Sequence, residues 1–245
     1  MIRAVFFDFG GVLTETCWDL NTMTELIQKA CIEHGIHLPN SFADLFNSTM
    51  YEKWLKVLRT QIEERLEDIL WEIFEKIGIN DRTVLDKAID YILDAPFCII
   101  RKETPDVLRE LKSMGLKIGI ISNSPIAFHR RVLSRNGLLD FFDDIVISCE
   151  VNYRKPNPKI FKIALKRLDV KPSEAIFIGD SLSVDIVGAK KAGLVAVLMK
   201  YGDPAFTEED AAAIINDPAE PDYVIESLEE VIEIVKTESK RRINM

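Results

Sequence analysis

No stretch of the 245 residues approaches the roughly 20 consecutive apolar residues that a membrane-crossing helix requires. The apolar opening run, Met1 to Phe9, is interrupted by Asp8 and is too short for a secretory core followed by a cleavage site. Cysteine is scarce. Cys17, Cys31, Cys98 and Cys149 lie far apart with no Cys-x-x-Cys pair, so neither a disulfide framework nor a zinc ribbon is indicated. The three histidines, His34, His37 and His129, show no ligand spacing with acidic or thiol partners, and a structural role is expected for each. Positive charge is also in deficit. With 31 basic against 40 acidic side chains the formal net charge is -9, which excludes an overall attraction to nucleic acid or an anionic membrane. An anionic ligand would need a local cation. These absences lead us to expect a soluble, cytoplasmic protein with reduced thiols and no nucleic-acid or membrane partner. Oligomeric state is left open.

What is present is a large apolar fraction, 47%, in a chain long enough for one large domain or one with a smaller partner. Short apolar runs bounded by glycine, serine or aspartate read as buried parallel strands: Arg3 to Phe7, Lys117 to Ile121, Asp144 to Ser148, Ala175 to Ile178 and Leu194 to Met199. Helical patterns alternate with them, the signature of an α/β, doubly wound parallel sheet. Thr104-Pro105 is expected to cap one helix that Gly115 ends, Asn157-Pro158 another, and Ser227 with Glu230 forms a capping box before the last. The closing residues Lys240 to Met245 read as a solvated tail.

Residues 17–97 contain no convincing strand and show repeated helical periodicity instead. Trp54, Leu55 and Leu58 form one apolar face, Ile62, Leu66, Ile69, Leu70, Ile73 and Phe74 another, and Val84, Leu85, Ala88, Ile89 and Ile92 a third after a break at Gly78, Asn80 and Asp81. We therefore expect an α/β core from residues 1–16 and 98–245, with an all-helical domain, 17–97, inserted after the first strand.

In an open parallel sheet, ligands bind beyond the carboxyl ends of the strands. The first strand ends at Asp8-Phe9-Gly10-Gly11, the second at Ser122-Asn123, and the fourth at Gly179-Asp180-Ser181 with Asp185 beyond; Lys155 follows the third. This set suits phosphoryl transfer. Asp8 is ionised at neutral pH and can attack phosphorus, while Asp8 and Asp180 can share a magnesium ion. Gly10 allows a sharp turn that aims its carbonyl at the ion. Ser122 and Asn123, with backbone N–H groups of a helix expected to start at Pro125, can hold phosphate oxygens, and Lys155 offsets their charge.

In these four motifs, spread over most of its length, the chain resembles the haloacid dehalogenase-like hydrolases with a helical cap. The resemblance implies a magnesium-dependent phosphatase acting on a small cytosolic phosphomonoester. It makes Asp8 the nucleophile with Ser122 and Lys155 as further catalytic residues, gives magnesium to Asp8, the Gly10 carbonyl and Asp180, and has Asp185 orient the metal shell or Lys155. One departure matters. Phosphatases of this kind usually carry a second aspartate, as general acid and base, where this chain has Gly10. General acid–base catalysis is worth about 10²–10⁴-fold of a much larger total, so activity survives its loss. Thr14, Glu15 or a cap residue are alternative proton donors.

Three other readings stand beside this one. A 2-haloacid dehalogenase would use Asp8 on carbon without metal, but has no need of Asp180 and Asp185. A binding or regulatory relative would follow from Gly10, against the intact Asp8, Ser122, Lys155 and Asp180. A phosphonate-cleaving enzyme would need a Schiff-base lysine in the insertion, Lys53 or Lys56. Lys53, Lys56 and Arg59 are also candidates for reaching a substrate carboxylate or phosphate, and Arg130, Arg131 and Arg135 read as a solvated basic face.

Overall fold

The computed structural model describes residues 1–15, 19–96, 98–200, 208–217 and 219–243. Cys17 lies outside them. Strand β1 (Ala4–Phe7) is followed by four helices, α1 (Leu20–Glu33), α2 (Phe42–Thr60), α3 (Leu66–Lys76) and α4 (Arg82–Asp94). Then come α5 (Thr104–Ser113), β2 (Lys117–Ser122), α6 (His129–Arg135), β3 (Asp144–Ile147), α7 (Ser148–Val151) and α8 (Pro158–Arg167). The chain continues through β4 (Ala175–Gly179), a wide π-type turn at Leu182–Ile186, α9 (Val187–Ala192) and β5 (Val195–Met199). It ends with α10 (Glu208–Ile215), β6 (Tyr223–Ile225) and α11 (Val231–Ile243).

All pairings in the sheet are parallel, in the order β3-β2-β1-β4-β5-β6. β1 is therefore central, with β2 on one side and β4 on the other, and the strand order reverses beside it. Successive residues of β1 serve opposite faces: Val5 and Phe7 join one apolar layer, Ala4 and Phe6 the other. Burial on both faces explains why the strands read as continuous apolar runs rather than as alternation. Five of the six strands match the expected runs to within a residue. β6 was not expected, because three residues, Tyr223-Val224-Ile225, with Val224 48% exposed, give no periodic signal.

The helical insertion is built as its periodicity demands. Met23, Ile27 and Ala30 of α1 and Val84, Leu85 and Ala88 of α4 are buried in the same apolar cluster as Val5 and Phe7 of the sheet. Asp19 and Asp81 cap α1 and α4 by accepting from Asn21 N and Thr83 N. One face is shorter than expected: α2 ends at Thr60, the following Gln61 adopts left-handed backbone, and Ile62 is 43% exposed, paired with Tyr153 in a single antiparallel bridge.

Residues at the two ends of the insertion are stitched together. Thr14 pairs with Ile100 in an antiparallel bridge, Glu15 N donates to Ile99 O, and Arg101 N donates to Leu13 O. Thr104 belongs to this seam rather than to a cap: it is the first residue of α5, and its hydroxyl donates to Leu13 O at 3.1 Å. Asn157 and the Ser227/Glu230 box cap as expected. The C-terminal residues are less of a tail than expected, since α11 runs to Ile243 and Arg241 pairs with Glu238. Among the described residues, no helix is long and apolar enough to cross a membrane.

Candidate active site

The register of β1 fixes the site. Phe7 lies opposite Ile120 of β2 and Ile178 of β4, so Asp8, the next residue, emerges level with the ends of both neighbours. Its N–H still donates to Ile178 O, at 2.8 Å. Ser122, Asp180 and Asp8 are thus delivered to one edge by three adjacent strands.

Lys155 reaches that edge from the loop before α8. Its Nζ lies 2.8 Å from Asp8 Oδ1 and 2.7 Å from Asp185 Oδ1, and the residue is 1% exposed. Asn123, at the end of β2, fixes the lysine's backbone: its Nδ2 donates to Lys155 O at 3.0 Å, and its Oδ1 accepts from Lys155 N at 2.7 Å. Both polar atoms of Asn123 are engaged with the Lys155 backbone, whereas the sequence leads us to expect this residue on a phosphate oxygen. Asp185 is equally committed, with Oδ1 on Lys155 and Oδ2 accepting from Asp180 N and Ser181 N at 3.1 and 3.2 Å. Gly179 makes this approach possible, since a Cβ there would lie 2.4 Å from Asp185 Cβ.

One expectation about the first loop is corrected. The left-handed backbone falls on Gly11 (φ 71°), and a Cβ there would stand 1.8 Å from Asp180 Oδ2. The tight approach that only glycine permits is thus between Gly11 and Asp180, whereas the sequence reading gave the sharp turn to Gly10. Arg101, 5% exposed, braces the same loop by donating from Nη2 to Gly11 O at 2.9 Å. Nothing in the sequence around Arg101 signals this, because its partner is 90 residues away.

Three carboxylates meet one ammonium here. Asp8, Asp180 and Asp185 each offer an oxygen within 4.8 Å of the others. Burial raises the Asp8 carboxyl to about 6, against the lowering effect of Lys155 and with a further rise from Asp185. Asp180 stands at the solvent-reached mouth of the crevice, yet the surrounding protein strips enough water to push its carboxyl well above the usual range, with Asp185 and Asp8 adding to the rise. Lys155 is held above its ordinary value although burial opposes this, because Asp185 and Asp8 flank it. An all-oxygen donor set with excess negative charge fits a hard divalent cation such as magnesium.

Ser122, 4% exposed, is as expected at the end of β2, but the helix after it begins at His129, not Pro125. Pro125 instead accepts from Leu66 N through its carbonyl. His129, for which the sequence leads us to expect a structural role, is buried with its Nε2 2.9 Å from Ser122 Oγ. Spacing rules for metal ligands do not detect a histidine that serves a hydroxyl. Thr14 is fully buried with its hydroxyl donating to Phe9 O, and Glu15 is exposed.

A cavity of about 310 Å³ adjoins this edge, lined by Met50, Tyr51 and Trp54 of α2 and by Asn123, Pro125 and Arg154 of the sheet side. Its charges cancel. Lys53 pairs with Glu64 at 3.1 Å and Glu72 at 2.5 Å, Lys56 pairs with Glu64, and Arg154 pairs with Glu63 at 3.2 Å. Burial opposes charge on Lys53, but Glu72 and Glu64 hold its ammonium above the ordinary value, contrary to what a Schiff-base lysine needs. Arg59 is exposed, and the expected basic face is paired: Arg130 with Glu150, Arg131 and Arg135 with Asp94.

Comparison with known proteins identifies the family and the fold. The profile of the haloacid dehalogenase-like hydrolases matches residues 2–193. A glyceraldehyde 3-phosphate phosphatase of Methanopyrus kandleri is 32% identical over 246 residues, covering 98% of this chain and all of that one. The fold is shared by a 2-haloacid dehalogenase of Pseudomonas syringae pv. Tomato, with a TM-score of 0.70 at 22% identity over 97% of this chain and 99% of that one. It is also shared by a magnesium-bound HAD-hydrolase of Bacillus subtilis, with a TM-score of 0.63 at 20% identity over 96% and 99%.

Proposed function

Because the chain belongs to the haloacid dehalogenase-like hydrolases, we propose that it is a magnesium-dependent phosphatase of small phosphomonoesters with an uncharged leaving group, working through a phosphoryl group on Asp8. The observation that carries this reading is the Asp8–Lys155–Asp185 array with Asp180 beside it.

Asp8 Oδ1 takes both Lys155 and the Phe9 N–H, the latter at 2.7 Å, which leaves Oδ2 to attack phosphorus. The P–O bond to the leaving group breaks, and the departing alkoxide takes its proton from solvent, since Gly10 supplies none. Water then attacks the same phosphorus, releasing inorganic phosphate and restoring the Asp8 carboxylate. Through both steps Lys155 offsets negative charge, Asp185 holds the ammonium in place, and Ser122 binds a phosphoryl oxygen. Magnesium, held by Asp8, Asp180 and the Gly10 carbonyl, would neutralise the transferring group.

Residues 17–97 serve as a cap over the site, and the cavity between α2 and the sheet edge receives the leaving group. Its apolar and aromatic lining and its mutually neutralised charges support a ligand without a carboxylate. An isolated carboxylate would be desolvated there with no cation to spare. The M. kandleri relative is named for glyceraldehyde 3-phosphate, whose carbon portion is uncharged. The same charge balance disfavours a 2-haloacid, which would bring its own carboxylate. We place the enzyme in the cytoplasm.

A phosphate-ester panel with and without magnesium tests the assignment. Magnesium-dependent release of phosphate, abolished in Asp8→Asn, supports it. Metal-independent halide release from a 2-haloacid would replace it with the dehalogenase reading.

A further inference from the structure

We propose that His129 is a positioning residue for Ser122: its imidazole donates from Nε2 to the Ser122 hydroxyl and so turns the hydroxyl hydrogen toward the phosphoryl group. This deepens the reading above and rests on its assignment of Ser122 to a phosphoryl oxygen.

The geometry comes from the turn after β2. Ser124 N donates to Ser148 Oγ at 2.8 Å, and Ser124 Oγ donates to Ile126 O at 2.6 Å, so the chain folds back at once and brings residue 129 under residue 122. His129 is 1% exposed and lies between aromatic rings, its centroid 4.6 Å from Phe9 and 4.5 Å from Phe128. That packing fixes the ring and points Nε2 at Ser122 Oγ, 2.9 Å away.

The direction of this hydrogen bond follows from the other nitrogen. Among the described residues none hydrogen-bonds Nδ1, which is buried. A proton on Nδ1 would create an orphaned buried N–H, whereas a bare lone pair there costs less. The ring therefore carries its single proton on Nε2. Burial, with Arg130 and Lys155 nearby, pushes its pKa down to about 3, so the imidazolium, which would also orphan an N–H, does not form near neutral pH. A serine hydroxyl that accepts one hydrogen bond still has its own hydrogen to donate. With Nε2 on one lone pair, that hydrogen is directed at the ligand rather than lost to the histidine. A neutral imidazole also adds no charge to the three carboxylates and one ammonium already in place.

Competitive inhibition by inorganic phosphate, measured on the full chain with magnesium and p-nitrophenyl phosphate, tests this. His129→Phe keeps the ring stack and removes the donor. We expect its Ki for phosphate to rise about tenfold, the scale of one hydrogen bond to a charged acceptor. His129→Gln, which restores a donor, should recover most of that loss. In a Ser122→Ala background, His129→Phe should change Ki by less than twofold. If His129→Phe does not fold, the isosteric pair His129→Gln and His129→Met carries the same comparison. Equal losses with and without Ser122, or no loss with Ser122 present, overturn the proposal. An unchanged Ki in Ser122→Ala alone overturns the reading of Ser122 itself, and the proposal with it.

Discussion

The ammonium of Lys155 sits 2.8 Å from the Asp8 carboxylate, at a residue only 1% exposed. A charge buried so deeply is stable only with partners, and Asp185 at 2.7 Å completes the set. In the proposed mechanism, the same arrangement that balances charge in the resting protein also holds Asp8 for attack on phosphorus.

Removing the cation should therefore affect both stability and rate. Lys155→Met leaves Asp8 and Asp185 buried without compensation, and breaking such a pair costs about 3–5 kcal/mol. We expect a large fall in denaturant midpoint together with at least a thousandfold loss of kcat. Asp185→Asn, which keeps the two backbone N–H contacts possible, should lower kcat less. Urea unfolding and steady-state rates on the same preparations check this.

Gly10 predicts a leaving-group effect. Without a positioned acid, rates should fall steeply as the leaving alkoxide becomes more basic. Gly10→Asp should restore up to about 10²-fold for alkyl phosphates, with little gain for p-nitrophenyl phosphate, whose leaving group needs no proton. An equal change for both substrates would mean that the substitution acts on loop shape, next to the Gly11 turn, rather than on proton transfer.

The balanced cavity predicts a specificity switch. Glu64 pairs with both Lys53 and Lys56, and Lys53 also pairs with Glu72. Glu64→Gln should therefore raise kcat/KM for phosphoglycolate about tenfold relative to glyceraldehyde 3-phosphate, or 1.4 kcal/mol of discrimination. Rates on the two substrates for wild type and variant decide this; an unchanged ratio would remove charge balance as the basis of selectivity.

His129 predicts an acid-sensitive step in stability. Its folded pKa, about 3, lies below the ordinary value of 6.5, so below pH 6.5 the unfolded chain binds a proton that the folded one does not. That contribution is favourable to folding above pH 6.5 and is lost progressively as pH falls toward 3, at about 1.4 kcal/mol per pH unit. His129→Phe should flatten the difference curve over that window. Parallel stability profiles of the two proteins would show no divergence if the imidazole were protonated in the folded state.

Much of this was legible in the sequence because strands buried on both faces and amphipathic helices leave local signals. The five strands, the helices of residues 19–96, the residues Asp8, Ser122 and Asp180 at strand ends and Lys155 in the loop before α8 can be located from runs, caps and spacing. What escaped was long-range. Arg101 on the Gly11 carbonyl and Glu64 on two lysines are pairings that no local pattern encodes. His129 under Ser122 depends on how tightly residues 123–128 turn back. The exchange of Gly10 for Gly11 as the strained turn shows the limit of motif reading, since two adjacent glycines look alike until backbone angles are known.

The central claim, that Asp8 carries the phosphoryl group, is tested most directly by acid-quenching the enzyme during turnover of a ³²P-labelled monoester with magnesium. We predict a hydroxylamine-labile label on the peptide containing Asp8, and neither label nor turnover in Asp8→Asn. Undiminished phosphate release by Asp8→Asn, or label on a different residue, would contradict the account.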